Sequence, residues 1–278
     1  MKKISRRSFM AAAAVSVAAL ALTACGGSAS SAASSVASSA ASSEAVSSAA
    51  AAELTTVEAG KLTMATNAAF PPYEMTTDAG EFEGIDVDTA KAIAEKLGLE
   101  LQIDDMDFDA ALLSVQQGKA DIVMAGVTVT DERKAVMDFS DSYATGIQSI
   151  IVPEGSDITS PDDLAGKKIG TQRGTTGYIY CSDDFGDENV VAYDDGLTAV
   201  QALNNGQVDA VVIDNAPAQE FVAANPGLKV LDTSYAEEDY AIGMAKGSAL
   251  EDAVNKALEE LKADGTLQAI VDKYINAN

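Results

Sequence analysis

After residue 60 the chain alternates short apolar runs with longer segments whose apolar residues recur every three or four positions. The short runs are typical of buried strands, and the longer segments are typical of amphipathic helices. In the first half of this region the pattern predicts strands at 61–66, 99–104 and 121–125. It predicts helices between them, at 86–97 and near 109–117. The resulting order is strand, helix, strand, helix, strand.

The second half repeats this order. Its predicted elements are a strand at 168–171, a helix from about 175, a strand at 189–193, a helix near 196–205 and a strand at 209–213. Two matching stretches, VQQGKADIVM (115–124) and LNNGQVDAVV (203–212), set the correspondence. In each, the glycine is predicted to end a helix in the left-handed conformation before a buried parallel strand begins.

Two such βαβαβ units predict an α/β fold with two small lobes, each built on a parallel sheet. The alternative is chance similarity, because helix–Gly–strand punctuation is common. A second pair of matching strand openings, GKLT (60–63) and GKKI (166–169), occurs in the same order and favours the repeat. Beyond it, a capping box at Ser248 and Glu251 predicts the start of a helix, and a shorter helix is predicted from 266 to about 275.

Residues 1–25 have the anatomy of an export signal. Four basic residues among the first seven precede an uncharged apolar run at 9–24, about 16 residues long and shorter than the roughly 20 that a membrane-spanning helix needs. The run ends in LTAC (22–25), which resembles the lipobox of bacterial lipoproteins and predicts cleavage before Cys25 and acylation of its sulfur. An ordinary signal peptide with a chance cysteine is the alternative. The arginine pair at 6–7 leaves both the general secretory and the twin-arginine routes open.

Residues 26–56 are predicted to be a disordered tether. They are mostly serine and alanine and contain no aromatic residue, so there is little for them to bury. A flexible chain of about 28 residues has an r.m.s. reach of about 30 Å. Such a tether would hold a globular domain away from a membrane surface.

The composition excludes several classes of function. After residue 53 there are 14 Lys and Arg residues against 41 Asp and Glu, so the surface is expected to repel nucleic acid and anionic lipid. The chain has no histidine, and Cys181 is its one cysteine besides Cys25. Histidine-based triads, zinc sites and disulfide frameworks are therefore excluded, and we expect no catalytic residue, metal or cofactor.

Two charged residues are predicted to lie where open α/β sheets bind ligands, beyond the carboxyl ends of the strands. Arg133 follows the third strand of the first half and offers a planar, permanently charged fork suited to a carboxylate. Asp214 follows the corresponding strand of the second half and supplies the opposite charge, suited to an ammonium group. A carboxylate receptor and an ammonium receptor on facing lobes predict a site for an α-amino acid.

Each of these residues also has a structural interpretation that the sequence leaves open. Arg133 could pair on the surface with a neighbouring acidic side chain, and Asp214 could simply cap a helix. Phe70 and Phe108, which would supply aromatic walls to the site, could equally be core residues. The binding interpretation depends on all of them falling at corresponding strand ends.

Six stretches of the chain resemble the polar amino-acid substrate-binding proteins of ABC importers, the bacterial extracellular solute-binding proteins of family 3. The resemblance spans roughly residues 57–278. The stretches are PPYE (71–74), GIDVDTAKAIAEKLG (84–98), FDAALLSVQQGKADIVMAGVTVTDER (108–133), FSDSY (139–143), GTQRGTTG (170–177) and GQVDAVVIDNAPA (206–218).

The resemblance implies a type II periplasmic-binding-protein fold, in which two hinged lobes close on the ligand. It places lobe 1 at 57–149 with a return segment at 240–278, and lobe 2 at 150–239. The two crossings between the lobes are expected at 141–153 and 239–244. The residues it implies at the site are Arg133, Gly126, Thr128, Thr175 and Thr176 for the carboxylate, Asp214 for the ammonium group, Phe70 and Phe108 for the walls, and Asn67 and Gln172 for the side-chain pocket. Relatives that bind lysine and arginine have an acidic residue in place of Asn67, so a polar, uncharged amino acid is predicted.

The resemblance also implies partners and a location. We expect a monomer that is anchored through Cys25 at the outer face of the plasma membrane, or on its periplasmic side, and that delivers its ligand to ABC permease subunits. An enzyme resembling cyclohexadienyl dehydratases, which share this fold, is one alternative. A ligand sensor or adhesin is the other, and the sequence alone does not separate it from a transport receptor.

Overall fold

A computed structural model describes residues 54–275 of the 278-residue chain. The predicted signal peptide, the predicted acylation site at Cys25, nearly all of the predicted tether and the last three residues lie outside this range. The described strands are β1 Lys61–Thr66, β2 Ala69–Phe70, β3 Glu74–Thr76, β4 Phe82–Glu83, β5 Glu100–Asp105, β6 Ile122–Val123, β7 Met137–Phe139, β8 Ala144–Pro153, β9 Ile169–Gln172, β10 Val190–Tyr193, β11 Ala210–Asp214, β12 Leu228–Val230, β13 Ala236–Tyr240 and β14 Gly243–Ala245. The described α-helices are α1 Ile85–Leu97, α2 Phe108–Gln116, α3 Asp131–Val136, α4 Thr176–Phe185, α5 Gly196–Asn204, α6 Asn215–Ala224, α7 Glu251–Ala263 and α8 Thr266–Tyr274.

Two larger sheets organise these elements, and we call the part of the chain built around each sheet a lobe. The sheet of the first lobe has the strand order β5-β1-β6-β14-β7. The sheet of the second lobe has the order β10-β9-β11-β8-β12, with β13 also paired to β8. A small third sheet, β2-β3-β4, follows β1 in the first half of the chain.

The predicted repeat is confirmed by the order and direction of the strands. In the first lobe β1 pairs in parallel with β5 on one side and β6 on the other, and in the second lobe β9 pairs in parallel with β10 and β11. Gly118 and Gly206, the matching glycines of the two stretches, have φ angles of 65° and 68°. Both glycines therefore adopt the left-handed conformation that favours glycine, and each turns the chain from a helix toward the next strand.

Helices cover both faces of each sheet. In the first lobe α1, α7 and α8 pack on one face around residues such as Ile93, Val254 and Leu267, while α2 packs on the other face through Ala111 and Val115. In the second lobe α5 and α6 pack on one face and α4 on the other. Strands buried on both faces are expected to be continuously apolar, which explains the short apolar runs of the sequence.

The chain passes between the lobes twice. It leaves the first sheet after β7 and enters the second with β8, so the first passage lies between residues 139 and 144. It returns between β13 and β14, so the second passage lies between residues 240 and 243. The lobe boundaries expected from the resemblance, 149/150 and 239/240, stay predictions. Much of the first expected crossing, residues 144–153, is a ten-residue strand.

Two features of the sequence interpretation need correction. The capping box at Ser248 and Glu251 is wrong, because α7 is preceded by Leu250 and has no side-chain cap. The Ser248 hydroxyl instead accepts a hydrogen bond from the backbone N–H of Leu250, at 3.2 Å, in a local turn. Helices α3 and α6 were not among the predicted elements, although Asp214 was considered as a possible helix cap.

Candidate ligand-binding site

One cavity is lined by all ten residues that the sequence analysis selected for ligand binding. The ten residues are Asn67, Phe70, Phe108, Gly126, Thr128, Arg133, Gln172, Thr175, Thr176 and Asp214. The cavity lies at the carboxyl ends of the parallel strands of both sheets, where the α/β architecture favours ligand binding. The role of each residue in binding stays a prediction.

Arg133 is buried in this cavity rather than exposed on the surface. The residue is 9 % exposed, so the alternative interpretation of Arg133 as a surface ion-pair partner of a neighbouring acidic side chain is wrong. Its Nη1 donates to the carbonyl oxygen of Thr128 at 2.8 Å, and its Nη2 donates to that of Gly174 at 3.1 Å. The first acceptor belongs to the first lobe and the second to the second lobe, so the guanidinium bridges the two lobes.

Local structure fixes the position of this arginine. Thr130 caps α3, and its hydroxyl accepts a hydrogen bond from the backbone N–H of Arg133 at 3.2 Å. The guanidinium carbon lies 5.4 Å from the centre of the Phe108 ring, a cation–π contact. Burial lowers the pKa of Arg133, and the charge of Glu238 opposes that shift. An arginine remains protonated in proteins, so the site holds a fixed positive charge.

Asp214 places a buried carboxylate in the same cavity. It is 2 % exposed and ends β11. Its Oδ1 accepts a hydrogen bond from the N–H of Ala216 at 3.1 Å, and its Oδ2 accepts one from the N–H of Ile147 at 2.7 Å. The helix-cap interpretation is therefore confirmed, and the same side chain also lines the cavity. Burial raises the pKa of Asp214 to about 6, against hydrogen bonds that favour its charged form.

The start of α4 forms one wall of the cavity. Thr175 caps this helix, accepting a hydrogen bond from the N–H of Tyr178 at 3.3 Å, and Thr176 is its first residue. The first turn of a helix has partial positive charge and N–H groups suited to an anion. Thr128, from the first lobe, faces this turn, and its hydroxyl oxygen lies 3.5 Å from that of Thr176.

The predicted side-chain pocket contains a hydrogen bond between the lobes. The Gln172 side-chain amide donates to the Asn67 side-chain oxygen at 2.9 Å. Asn67 in turn donates to the carbonyl oxygen of Met106 at 3.0 Å, which fixes the direction of its amide. Two amides from opposite lobes therefore present both donors and acceptors at this end of the cavity.

The aromatic walls serve both the core and the cavity. Phe108 is 6 % exposed and packs with the core of the first lobe, so the core interpretation is also correct for it. Phe70 stacks on Tyr73, with ring centres 5.9 Å apart. Gly126 lies beneath Phe70 with a φ of 55°, and a Cβ there would meet the ring at 2.9 Å. Only glycine allows this close approach of ring and backbone.

Five further residues line the cavity but were not selected from the sequence. They are Glu74, Ala125, Gln148, Ile213 and Tyr240. Gln148 lies on β8 and Tyr240 at the end of β13, on the two crossing strands, so no strand-end pattern pointed to them. Glu74 follows the Pro-Pro-Tyr stretch, and a lone acidic residue after an apolar segment was the one available signal for it.

Glu74 is a buried carboxyl group beside a second one. It is 1 % exposed, and its carboxyl group lies within hydrogen-bonding reach of that of Asp86. Burial raises the pKa of Glu74 well above its usual value, and the nearby charge of Asp86 adds to the shift. Burial also raises the pKa of Asp86 to about 6, although Asp86 accepts hydrogen bonds from the Gly126 N–H and the Tyr143 hydroxyl. A proton on the pair can be shared between the two carboxyl groups.

These raised pKa values predict that the domain gains stability in mild acid. A carboxyl group with a raised folded-state pKa contributes stability below its unfolded pKa and loses it as the pH rises through the folded value. For Asp86 and Asp214, whose ordinary pKa is 3.8, that loss is nearly complete once the pH exceeds about 6. We expect the melting temperature to be higher at pH 5 than at pH 7.5. In Glu74→Gln the difference between the two pH values should be smaller, measured by calorimetry.

The control for this measurement is Glu81→Gln, an exposed glutamate between the β3 and β4 strands. It removes the same charge from the surface and should leave the pH difference as it is in the unaltered protein. A Glu74→Gln variant with the full pH difference would show that Glu74 does not titrate differently on folding.

Comparison with known proteins identifies the family. The family model for the bacterial extracellular solute-binding proteins, family 3, matches residues 62–277. The chain belongs to this family. The L-cystine-binding protein TcyJ of Escherichia coli K12 is 34 % identical over 226 residues, which cover 80 % of this chain and 85 % of TcyJ. A probable histidine-binding protein of Neisseria gonorrhoeae is 34 % identical over 272 residues, covering 95 % of this chain and 94 % of the relative.

A solved structure supports the same assignment. The arginine-, lysine- and histidine-binding protein ArtJ of Geobacillus stearothermophilus superposes with a TM-score of 0.75 at 35 % identity, covering 78 % of this chain and 96 % of ArtJ. This confirms the predicted two-lobe periplasmic-binding-protein fold. The family members are substrate-binding proteins, and several are named as amino-acid-binding proteins of ABC transporters.

Between residues 54 and 275, no helix has both the length and the apolar character needed to cross a bilayer. Over the same range, no three His, Cys, Asp or Glu residues are grouped so that they could hold a metal ion.

Proposed function

We propose that this protein captures a polar, uncharged amino acid between its two lobes and delivers it to the permease of an ABC importer. The observation behind the proposal is that a buried guanidinium, Arg133, and a buried carboxylate, Asp214, line one cavity. The two groups complement the carboxylate and the ammonium group of a zwitterion. Neutral ligands without those charges would leave both buried groups uncompensated, which is costly.

The distribution of the charged groups accounts for closure. Arg133 belongs to the first lobe and Asp214 to the second, so a zwitterion that meets both groups contacts both lobes. Its binding free energy then differs between open and closed arrangements, and this difference shifts the population toward the closed one. The amino acid would meet Arg133 and the start of α4 with its carboxylate, and Asp214 with its ammonium group.

The amides of Asn67 and Gln172 favour an uncharged polar side chain. They can exchange the hydrogen bond between them for hydrogen bonds to a ligand amide or hydroxyl. The second candidate is a cationic amino acid, which Glu74 favours, because its buried carboxyl group lines the same cavity. Either candidate fits the family, because its members include proteins named as binding cystine, histidine and arginine.

Several parts of the proposal concern the cellular setting. Family members are named as extracellular solute-binding proteins. We propose that Cys25 is acylated and anchors this chain to the outer face of the membrane, that the protein acts as a monomer, and that it binds its ligand without transforming it. Recovery of the unchanged ligand by mass spectrometry tests the last point against a dehydratase. Uptake of labelled amino acid in cells lacking the chain tests transport against a sensor or adhesin.

A melting-temperature panel tests the proposed ligand class. The panel contains glutamine, asparagine, serine, cystine, histidine, arginine, lysine, glutamate and leucine. At a hundred times its Kd, a ligand raises the free energy of unfolding by about 2.7 kcal/mol. For a domain of this size we expect a melting temperature about 5–10 °C higher. The uncharged polar members should give the largest increase.

Derivatives of the best panel member provide the controls. Its α-amide lacks the carboxylate charge, and its N-acetyl form lacks the ammonium charge, so each should lose most of the increase. An increase confined to arginine and lysine would favour the cationic alternative. If no amino acid raised the melting temperature, the proposed function would be wrong.

A further inference from the structure

Glu238 lies where the two lobes meet, and the proposed function assigns it no role. It is the third residue of β13, the strand that leads back to the first lobe, and it is 7 % exposed. It does not line the ligand cavity, but it accepts hydrogen bonds from residues that do. Its position on a crossing strand explains why no pattern in the sequence pointed to it.

One oxygen of Glu238 accepts three hydrogen bonds. Its Oε2 accepts from the hydroxyl of Thr128 at 3.0 Å, from the hydroxyl of Thr176 at 2.9 Å and from the side-chain amide of Gln148 at 3.0 Å. Thr128 belongs to the first lobe, whereas Thr176 and Gln148 belong to the second. A single carboxylate oxygen of Glu238 therefore accepts hydrogen bonds from side chains of both lobes.

These bonds constrain the two threonines beside the cavity. A hydroxyl group has one proton, and both threonines donate theirs to Glu238, so their oxygens face each other at 3.5 Å with lone pairs available. A ligand carboxylate is then left to Arg133 and to backbone N–H groups. The negative charge of Glu238 also stabilises the guanidinium, which is otherwise desolvated.

We propose that Glu238 is a positioning residue that fastens the closed arrangement of the lobes by holding Thr128 and Thr176 against one carboxylate oxygen. The proposal rests on the proposed function, since closure matters only if a ligand is captured. Charge-assisted hydrogen bonds to a buried carboxylate contribute more than neutral ones. Separation of the lobes would break the bond between Glu238 and Thr128, so Glu238 should favour closure even without a ligand.

Replacing Glu238 with glutamine removes the charge of the side chain but can keep its three hydrogen bonds. Its other oxygen, Oε1, is buried and has no hydrogen-bond partner in the described range. In Glu238→Gln, the amide oxygen can therefore take the place of Oε2 and keep all three bonds, while the NH₂ group takes the place of Oε1. Glu238→Ala removes all three bonds. Glu237→Gln, at the exposed neighbour on the same strand, is the matched control.

The lobe arrangement can be measured on the protein alone. Spin labels are placed at Leu113→Cys on α2 and Leu197→Cys on α5, exposed positions in different lobes, in a background with Cys25 and Cys181 replaced by alanine. Pulsed electron paramagnetic resonance then gives the distance distribution without added ligand. Thermal melting of each variant confirms that it is folded.

We expect Glu238→Ala to reduce the fraction at short distances at least fivefold. Glu237→Gln should keep the distribution of the unaltered protein. Glu238→Gln keeps the three bonds without their charge, so it should shift the distribution less than Glu238→Ala does. A distribution that Glu238→Ala leaves unchanged would overturn the proposal, and so would an equal shift in Glu238→Gln and Glu238→Ala. Since no ligand is added, this result is independent of whether any amino acid in the melting panel binds.

A second pair of variants covers the case in which Glu238→Ala does not fold. Thr128→Ser keeps the hydroxyl that donates to Glu238, whereas Thr128→Val replaces it with a methyl group of similar size. Thr128→Val should shift the same distance distribution toward longer distances, and Thr128→Ser should not. Equal distributions in these two variants would count against the fastening role of Glu238.

Discussion

Replacing Arg133 with methionine is expected to weaken amino-acid binding at least about 100-fold, and replacing it with lysine at least about 30-fold. The guanidinium donates to carbonyl oxygens of both lobes, at 2.8 and 3.1 Å, while its charge faces the cavity. Removing one partner of a buried, hydrogen-bonded charge pair typically costs about 2–5 kcal/mol, and about 1.4 kcal/mol corresponds to tenfold. Lysine retains the charge but is a compact ammonium group that cannot reproduce a planar fork.

Arg173→Lys is the matched control, because Arg173 is the other arginine of the described range. Its side chain is 56 % exposed and lies 3.6 Å from Asp194, so its contribution should be small. Isothermal titration with the best amino acid of the melting panel measures all three variants. If Arg133→Lys bound within about threefold of the unaltered protein, the carboxylate would not be bound by the guanidinium fork.

The repeat could be predicted because local features encode it. Gly118 and Gly206 end matching helices, and the apolar runs after them are buried on both faces, so punctuation and periodicity together indicate the strand order. The capping box at Ser248 failed for a local reason as well. Its pattern was present, but the chain forms a turn through residues 248–250 before the helix begins, and the hydroxyl is used there.

The crossing strands could not be predicted from local features. Residues 144–153 were interpreted as a connection, but they form the strand that joins β11, β12 and β13 in the second sheet. One consequence is visible at Gly146, where a Cβ would lie 2.5 Å from the Tyr240 ring. A glycine in a strand can mark such a close approach, but the sequence does not say which ring approaches it.

The site residues that were predicted are marked by features local in the sequence, whereas those that were missed are not. Arg133, Asp214 and the threonines follow predicted strands, so the general rule for open α/β sheets places them together. Glu238 lies on β13, the last strand before the chain returns to the first lobe, and its hydrogen-bond partners Thr128 and Thr176 are 110 and 62 residues away along the chain. Contacts of that kind depend on how the two lobes meet, which a residue pattern within one lobe does not reveal.

The chain carries an excess of negative charge, and Arg133 is the one basic residue of the described range that lines the cavity. The chain has a formal net charge of −25, and the cavity itself contains Glu74 and Asp214. Long-range repulsion of an acidic ligand is screened beyond about 8 Å at physiological ionic strength, so selection depends on the groups inside the cavity. The Arg133 guanidinium and the Asp214 carboxylate are opposite charges in one cavity, which favours a ligand whose net charge is zero.

Replacing Asp214 with asparagine is expected to weaken binding about 100-fold at pH 7.5, because the ligand ammonium group loses its opposite charge. Asparagine can still accept the hydrogen bond from the Ala216 N–H that caps α6. Its NH₂ group, however, would meet the Ile147 N–H, which now donates to Oδ2 at 2.7 Å. Some loss of stability is therefore expected too, and melting without ligand measures that part separately.

The pH dependence of affinity distinguishes the loss of charge from a loss of structure. The pKa of Asp214 is raised to about 6, and an ammonium group binds best to its ionised form. In the unaltered protein the affinity should therefore fall as the pH decreases from 7.5 to 5, although the stability of the domain itself rises. In Asp214→Asn this dependence should be much smaller. Titration calorimetry at both pH values gives the comparison.

Asp195→Asn is the control for the helix-capping part of the change. Asp195 also caps a helix, accepting a hydrogen bond from the Thr198 N–H at 2.7 Å, but it is only partly buried. Its replacement should leave the affinity within about twofold, because a capping residue contributes only about 0.5–2 kcal/mol to stability and Asp195 does not line the cavity. If Asp214→Asn bound the ligand as tightly as Asp195→Asn at pH 7.5, Asp214 would be a helix cap without a role in recognising the ammonium group.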